Sequence, residues 1–382
     1  MEWHSLEASS KWLKVDHDQL ARIVAREIVS RTGRRVGKVR ITTGAAVLFS
    51  GFDSGECDDR LCTTKPHDRR NERVTMSGIS SSVPRWEEKT MKVLLTGGSG
   101  DLGQTLVPIL LNKGYTPVIL DVRTPPLDLK HEGVFIQGSI IDRSKLKEFF
   151  IGCDCIVHIA AWHGIHEIRG AKNAYDFFDL NVRGTFEVFE AAVSLGINKI
   201  IFISTTSVDK PDTRYGRSKI MGECIAEDYR KHSNMNVITL RPRAFIPFWN
   251  RDVYTNYSDW ARWFWKGAVH IEDVASAVIL SLDLISVKQL RRRLILTLDS
   301  AYEYTDADLD HWDADGAGST FRKYYSEYYD LAISYGLDPA LKPTKLDISE
   351  TVRWLGYKPS YSLASLLSEL AAYGDSGPPQ LR

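Results

Sequence analysis

The sequence predicts an α/β fold, a doubly wound parallel sheet, across residues 91–382. Two observations predict it: short apolar runs rich in β-branched residues, and helical stretches that separate them. The runs are KVLLTG (92–97), TPVILD (116–121), GVFIQG (133–138), CIVHIAA (155–161), KIIFIST (199–205) and NVITLRP (236–242). Helices are expected over 101–113, 142–151, 175–195 and 215–231. Strands that are apolar on both faces must be covered on both, and alternation with helices supplies that cover.

Residues 1–90 have a different texture. One helix is expected in DQLARIVAREIVSR (18–31), where Leu20, Ile23, Val24, Ile28 and Val29 recur at helical spacing. The rest is rich in Arg, Asp, Gly and Ser, and such a composition buries too little apolar surface to offset chain entropy. Residues 1–90 are therefore read as a mostly disordered leader, an extension apart from the functional fold that starts at Met91. Lys+Arg and Asp+Glu both number 49, so no net field favours nucleic acid or an anionic membrane. No apolar run reaches the length of a membrane span, and the N-terminus lacks the apolar stretch of a signal peptide, so a cytoplasmic protein is expected. The five cysteines lack paired CxxC spacing, Cys57, Cys62 and His67 included, and no metal site is expected.

The first strand runs into Gly97, Gly100 and Gly103, spaced GxxGxxG, and then a helix starting at Asp101 and Leu102. Such a turn lets backbone N–H groups and a helix N-terminus approach a pyrophosphate with no Cβ in the way. The second strand ends in Asp121, about 20 residues on, where a carboxylate accepts hydrogen bonds from ribose hydroxyls and repels a 2′-phosphate. That context makes the domain Rossmann-type and favours NAD; Arg123 offers an alternative partner for the phosphate of NADP. Ser99 and Asp101 also suit a helix cap, and Pro108 is expected to bend the helix or cost it a hydrogen bond.

Tyr215 and Lys219 stand four residues apart in RYGRSK, on one helical face. A phenol is a poor base at neutral pH, and a nearby ammonium stabilises the phenolate. The preceding strand ends in Ser204, Thr205, Thr206 and Ser207, at the sheet edge where open α/β folds bind ligands.

With these pieces in hand, residues 91–382 resemble the extended short-chain dehydrogenase/reductase superfamily, its NAD-dependent epimerase/dehydratase group. TGGSGDLG, Asp121, IVHIAA, NVRGT, ISTTSV, YGRSK, LRPRAF, HIEDVASAV and LGYKPSYSLASLLSEL follow the family's order. The resemblance implies Tyr215 as general base, Lys219 as tuner of its pKa and Thr205 as the hydroxyl that orients substrate. It implies cofactor contacts from Gly97, Gly100, Asp101, Leu102, Gly103, Asp121, Ser139, Ile140, Ala160, Ala161, Tyr215 and Lys219, with Asn181 structural. It also implies a small substrate lobe from about 243–270 and 300–382, and a homodimer through helices 175–195 and 215–231.

Departures from the family pattern bear on the substrate. Gly138-Ser139-Ile140 lacks the family's carboxylate near adenine, and ten positions separate Thr205 from Tyr215, fewer than is usual. Thr205-Thr206-Ser207 lacks the acid pair of the sugar-nucleotide dehydratases, which argues against water elimination. On the substrate side stand His163, Thr206, Arg251 and Arg262, while Trp249, Trp260, Trp263 and Trp265 either stack on a ligand or pack the small lobe. His158, inside its strand, reads as a core histidine. The expected activity is that of an NAD-dependent oxidoreductase or epimerase on a secondary hydroxyl of a sugar or nucleotide sugar. A uronate or aldose dehydrogenase and a non-catalytic dinucleotide-binding protein are the alternatives.

Overall fold

The computed structural model describes residues 3–7, 36–42, 46–52, 90–126 and 133–379. The chain divides into two units, Met1–Val83 and Pro84–Arg382. In the first, β1 (Trp3–Glu7), β2 (Val36–Thr42) and β3 (Ala46–Phe52) form an antiparallel sheet in the order β1-β3-β2. Composition alone predicts no strand here. The helix expected over 18–31, and Cys57, Cys62 and His67, lie outside the described residues.

The second unit is built on seven parallel strands: β4 (Lys92–Thr96), β5 (Thr116–Asp121), β6 (Val134–Gln137), β7 (Cys155–His158), β8 (Lys199–Ile203), β9 (Asn236–Pro242) and β10 (Leu294–Leu298). Their order is β10-β9-β8-β7-β4-β5-β6, with every pairing parallel. The winding therefore reverses between β4 and β7, and a crevice opens at the carboxyl ends of these two strands. Six strands fall where the apolar runs predict. β10 does not announce itself: it is an edge strand whose burial alternates, and it follows the basic run Arg291–Arg293.

On one face α1 (Asp101–Asn112) buries Leu102, Leu106, Val107 and Leu110, a spacing that places them on one side of the helix. Each stabilises the fold by about 2 kcal/mol. Pro108 lies on the exposed side, and the helix runs on through it, because solvent can satisfy the carbonyl left without a donor. The opposite face carries α2 (Thr185–Ser194) and α3 (Arg214–His232). The helix expected over 175–195 is not uniform. It opens as Ala174–Phe177, widens into π-helical turns over Phe178–Gly184 and tightens again as α2. In the widened stretch Gly184 packs on Ile140, where a Cβ would lie 2.7 Å from Cδ1. The helix expected over 142–151 shrinks to Leu146–Phe150.

Beyond β9, α4 (Tyr257–Trp265) packs in an aromatic cluster with Phe321, Tyr325, Tyr361 and Leu366. This cluster draws on both stretches named above for a substrate lobe. The tryptophans belong to it as packing: Trp260 Nε1 donates to the Ile246 carbonyl and Trp265 Nε1 to that of Asp338, both at 2.9 Å. The long helix α5 (Ile271–Val287) returns the chain to the sheet beside α1. Among the described residues no helix is long and apolar enough to cross a membrane.

Candidate active site

The turn after β4 is packed against the tip of β7. Gly97 adopts φ +70°, and a Cβ there would lie 2.8 Å from Ala160 Cα. At Gly103 a Cβ would stand 2.2 Å from the Gly98 carbonyl oxygen, so the first turn of α1 can close on the loop only without a side chain. Both glycines let the turn pack directly on neighbouring backbone, which sets the N-terminus of α1 at the crevice where a pyrophosphate could meet it. Gly100 takes the N-cap position of α1 in extended conformation, and neither Ser99 nor Asp101 caps it through a side chain. Leu102 is buried in the core, so its contribution to a ligand is its backbone alone.

Asp121 ends β5 with its side chain turned to the turn: Oδ2 accepts from Ser99 N at 3.0 Å and Oδ1 from Arg123 N at 2.9 Å. Each oxygen retains a lone pair for a ribose hydroxyl. Arg123 pairs loosely with it, Nε to Oδ1 at 3.8 Å. Asp101 faces elsewhere. Asn250 Nδ2 donates to its Oδ2 at 2.8 Å, and burial raises the carboxyl pKa against that hydrogen bond. Ser139 accepts from Ile141 N in its own loop at 3.4 Å, and Ile140 is buried in the core beneath Gly184. Ala160 and Ala161 line the tip of β7, half-buried, with Ala160 N donating to the Thr96 carbonyl at 2.9 Å.

The Tyr215–Lys219 pair sits in the first turns of α3, beside the tip of β8. Thr213 caps this helix through Gly216 N at 3.0 Å. Glu167, from the short helix Gly164–Ile168 after β7, accepts from Arg214 N at 3.0 Å and Tyr215 N at 3.1 Å. A carboxylate at a helix N-terminus satisfies free N–H groups and suits the dipole, so Glu167 anchors the turn that carries the phenol. No sequence signal links it to a helix 47 residues away. The Thr205 hydroxyl stands near enough to the Tyr215 phenol to favour its ionisation, and itself donates to Ser207 Oγ at 3.2 Å. Burial pushes that phenol up to about 12, with Thr205 pulling the other way.

Lys219 is buried and donates to the Ile203 carbonyl at 2.8 Å. Burial pushes its ammonium down to about 7, opposed by the Glu223 carboxylate one turn on. In the chain by itself, Thr205 is the group that pulls the phenol down, and the ammonium is turned to the strand.

Asn181 bridges three segments: its side chain accepts from Trp162 N, donates to Trp162 O, both at 2.8 Å, and donates to Ser218 Oγ at 2.9 Å. His158 is a core histidine, held between Thr96 (2.7 Å) and Thr185 (2.9 Å) and driven by burial to about 3. His163 starts the short helix, its ring 4.3 Å from that of His166, and burial takes it down to about 4. Thr206 opens a short turn after Thr205, with its carbonyl accepting from Asp209 N at 3.1 Å. Arg251 is exposed and donates to the Thr255 carbonyl at 3.1 Å. Arg262 is committed to the lobe: Nη1 donates to the Tyr335 carbonyl at 2.9 Å and Nη2 pairs with Asp259. It serves as a strut there, which the sequence could not reveal because Tyr335 is 73 residues away.

Comparison with known proteins agrees with this architecture. The UDP-glucose 4-epimerase of Erwinia amylovora is 29% identical over 184 residues, covering 41% of this chain and 53% of its own length. The uronate dehydrogenase of Pseudomonas putida is 30% identical over 177 residues, 41% of this chain and 62% of its own. The chain spans about half the length of the first curated relatives it matches. Among solved structures, UDP-glucuronic acid 4-epimerase from Bacillus cereus in complex with NAD superposes with a TM-score of 0.53 at 21% identity, over 75% of this chain and 97% of that one, a likeness of fold. Residues 93–246, which hold the turn, most of the sheet and the Tyr-Lys helix, match the model of the NAD dependent epimerase/dehydratase family.

Proposed function

We propose that this protein is an NAD-dependent oxidoreductase of the epimerase type, acting on a secondary hydroxyl of a sugar or nucleotide sugar. The observation that carries the reading is the meeting of Tyr215, Thr205 and Lys219 beside the crevice, from a helix and a strand tip. The turn around Gly97 and Gly103, with Asp121, would hold the dinucleotide, and the carboxylate selects NAD over NADP. When bound, oxidised NAD supplies a hydride acceptor and a positively charged ring. Thr205 holds the substrate oxygen by hydrogen bond, and Tyr215, ionised to the phenolate beside the positive ring and the Lys219 ammonium, takes the hydroxyl proton at its oxygen. Lys219 places a cation beneath, at the Ile203 carbonyl.

The short connections around the site, with only ten positions from Thr205 to Tyr215, favour a second reading, dehydrogenation of a free sugar acid. We place the protein in the cytoplasm as a homodimer. The exposed apolar side chains Tyr175, Phe178, Phe186, Val193 and Met221 on the two helices of one face support pairing there. The test is incubation with NAD and a panel of UDP-sugars, dTDP-sugars and free uronates, followed by absorbance at the NADH band and by NMR of the sugar. Epimer without net NADH supports the first reading, and stoichiometric NADH the second. NAD binding with no turnover across the panel overturns both in favour of a dinucleotide-binding protein.

A further inference from the structure

Glu223 is a buried carboxylate that the proposed chemistry does not use. It lies one turn beyond Lys219 on α3, 3% exposed. Four hydrogen bonds converge on it: Ser204 Oγ at 2.6 Å, Arg241 Nε at 2.8 Å, Arg241 Nη2 at 2.7 Å and Arg293 Nη2 at 3.2 Å. Ser204 adjoins Thr205 at the tip of β8, Arg241 belongs to β9, and Arg293 precedes β10. A single side chain thus ties the helix bearing Tyr215 and Lys219 to three strands, one of which presents Thr205. A buried ion pair is a costly way to hold a helix, and an apolar contact would serve stability as well. What an apolar contact cannot supply is a negative charge next to a buried ammonium.

We propose that Glu223 is a positioning residue: it sets the register of the Tyr215–Lys219 turn against Thr205 and supplies the counter-charge that keeps Lys219 an ammonium. The inference rests on the functional reading above only for why that charge matters. The charges around the pair are few. Lys219 faces the Ile203 carbonyl and, at 5.1 Å, the Phe202 ring, both of β8, with His158 of β7 and His163 within electrostatic reach and both kept neutral by burial. Burial works against the ammonium, and Glu223 is the group opposing it. Glu223 is met by Arg241 and Arg293, which themselves contact Asp209 (3.1 Å) and Glu227 (4.0 Å).

The test follows the Lys219 Cε resonance by carbon-13 NMR in the full-length protein through a pH titration, with Lys219→Met for assignment. Glu223→Gln removes the negative charge, and the midpoint falls by at least about one pH unit. Arg241→Met removes a compensating positive charge, and the midpoint rises. A purely structural role moves the two variants the same way or not at all, and either result overturns the proposal. Should Glu223→Gln fail to fold, the Arg241→Met titration decides alone: a rise supports it and an unmoved or lower midpoint overturns it. Opposite shifts in a protein that turns over no sugar would leave Glu223's role standing and sink the proposed reaction instead.

Discussion

Lys219 of α3 donates to the carbonyl of Ile203 at 2.8 Å, the last residue of β8 and two before Thr205. The ammonium is therefore fixed under the strand tip before any ligand arrives. It is held at a cost, since burial opposes its charge.

That cost has a pH signature. The folded-state pKa of about 7 lies below the ordinary lysine value of 10.5, so between these values the unfolded chain binds more protons. Stability from this group therefore rises as pH climbs from 7 toward 10.5, and the penalty is complete below 7. Lys219→Met is expected to melt higher than the parent at pH 6, with the gap closing by pH 9–10, while turnover is lost. Calorimetry across pH checks the first claim and a NADH assay the second.

Tyr215→Phe removes the proton acceptor and keeps the ring. Turnover should fall by about 10²–10⁴-fold. NAD affinity and melting temperature should stay near the parent's, as titration calorimetry and a thermal melt will show.

Gly97→Ala tests the turn. At φ +70°, with Ala160 Cα 2.8 Å from the new Cβ, the turn must move. A loss of about 1–3 kcal/mol in stability is expected, together with NAD binding too weak to saturate. Chemical denaturation and calorimetry report the two losses.

Asp121→Ala tests cofactor choice. Weakening of NAD by about tenfold, or about 1.4 kcal/mol, should accompany a gain for NADP, because Arg123 loses its carboxylate partner at 3.8 Å. Equal weakening of both dinucleotides would place Asp121 in loop support alone.

A chain starting at Met91 should fold. The three hydrophobic clusters described are built of many buried side chains from within Met91–Leu370. Its melting temperature is expected within about 2 °C of the full chain's, with NAD binding kept.

Much of this was legible in the sequence because its cause is local. Six strands declare themselves as apolar runs, and Tyr215 and Lys219 as a four-residue spacing on one helix. The glycines of the turn stand out for the same reason. What escaped is made by distance along the chain. Glu223 reads as an ordinary charge on a helix until Arg241 and Arg293 arrive from β9 and the approach to β10. Asp101 looks like a helix-start acid, and its partner Asn250 lies 149 residues away. β10 alternates as edge strands do, and nothing local distinguishes its run from a helix end.

His158, wedged between the hydroxyls of Thr96 and Thr185, carries one last implication. With a pKa near 3 it stays uncharged at any acidity a cell survives. An inflection near pH 6 in a rate profile invites assignment to an imidazole, but this girder is mute there, and such a bend must be traced to the sugar or to another group.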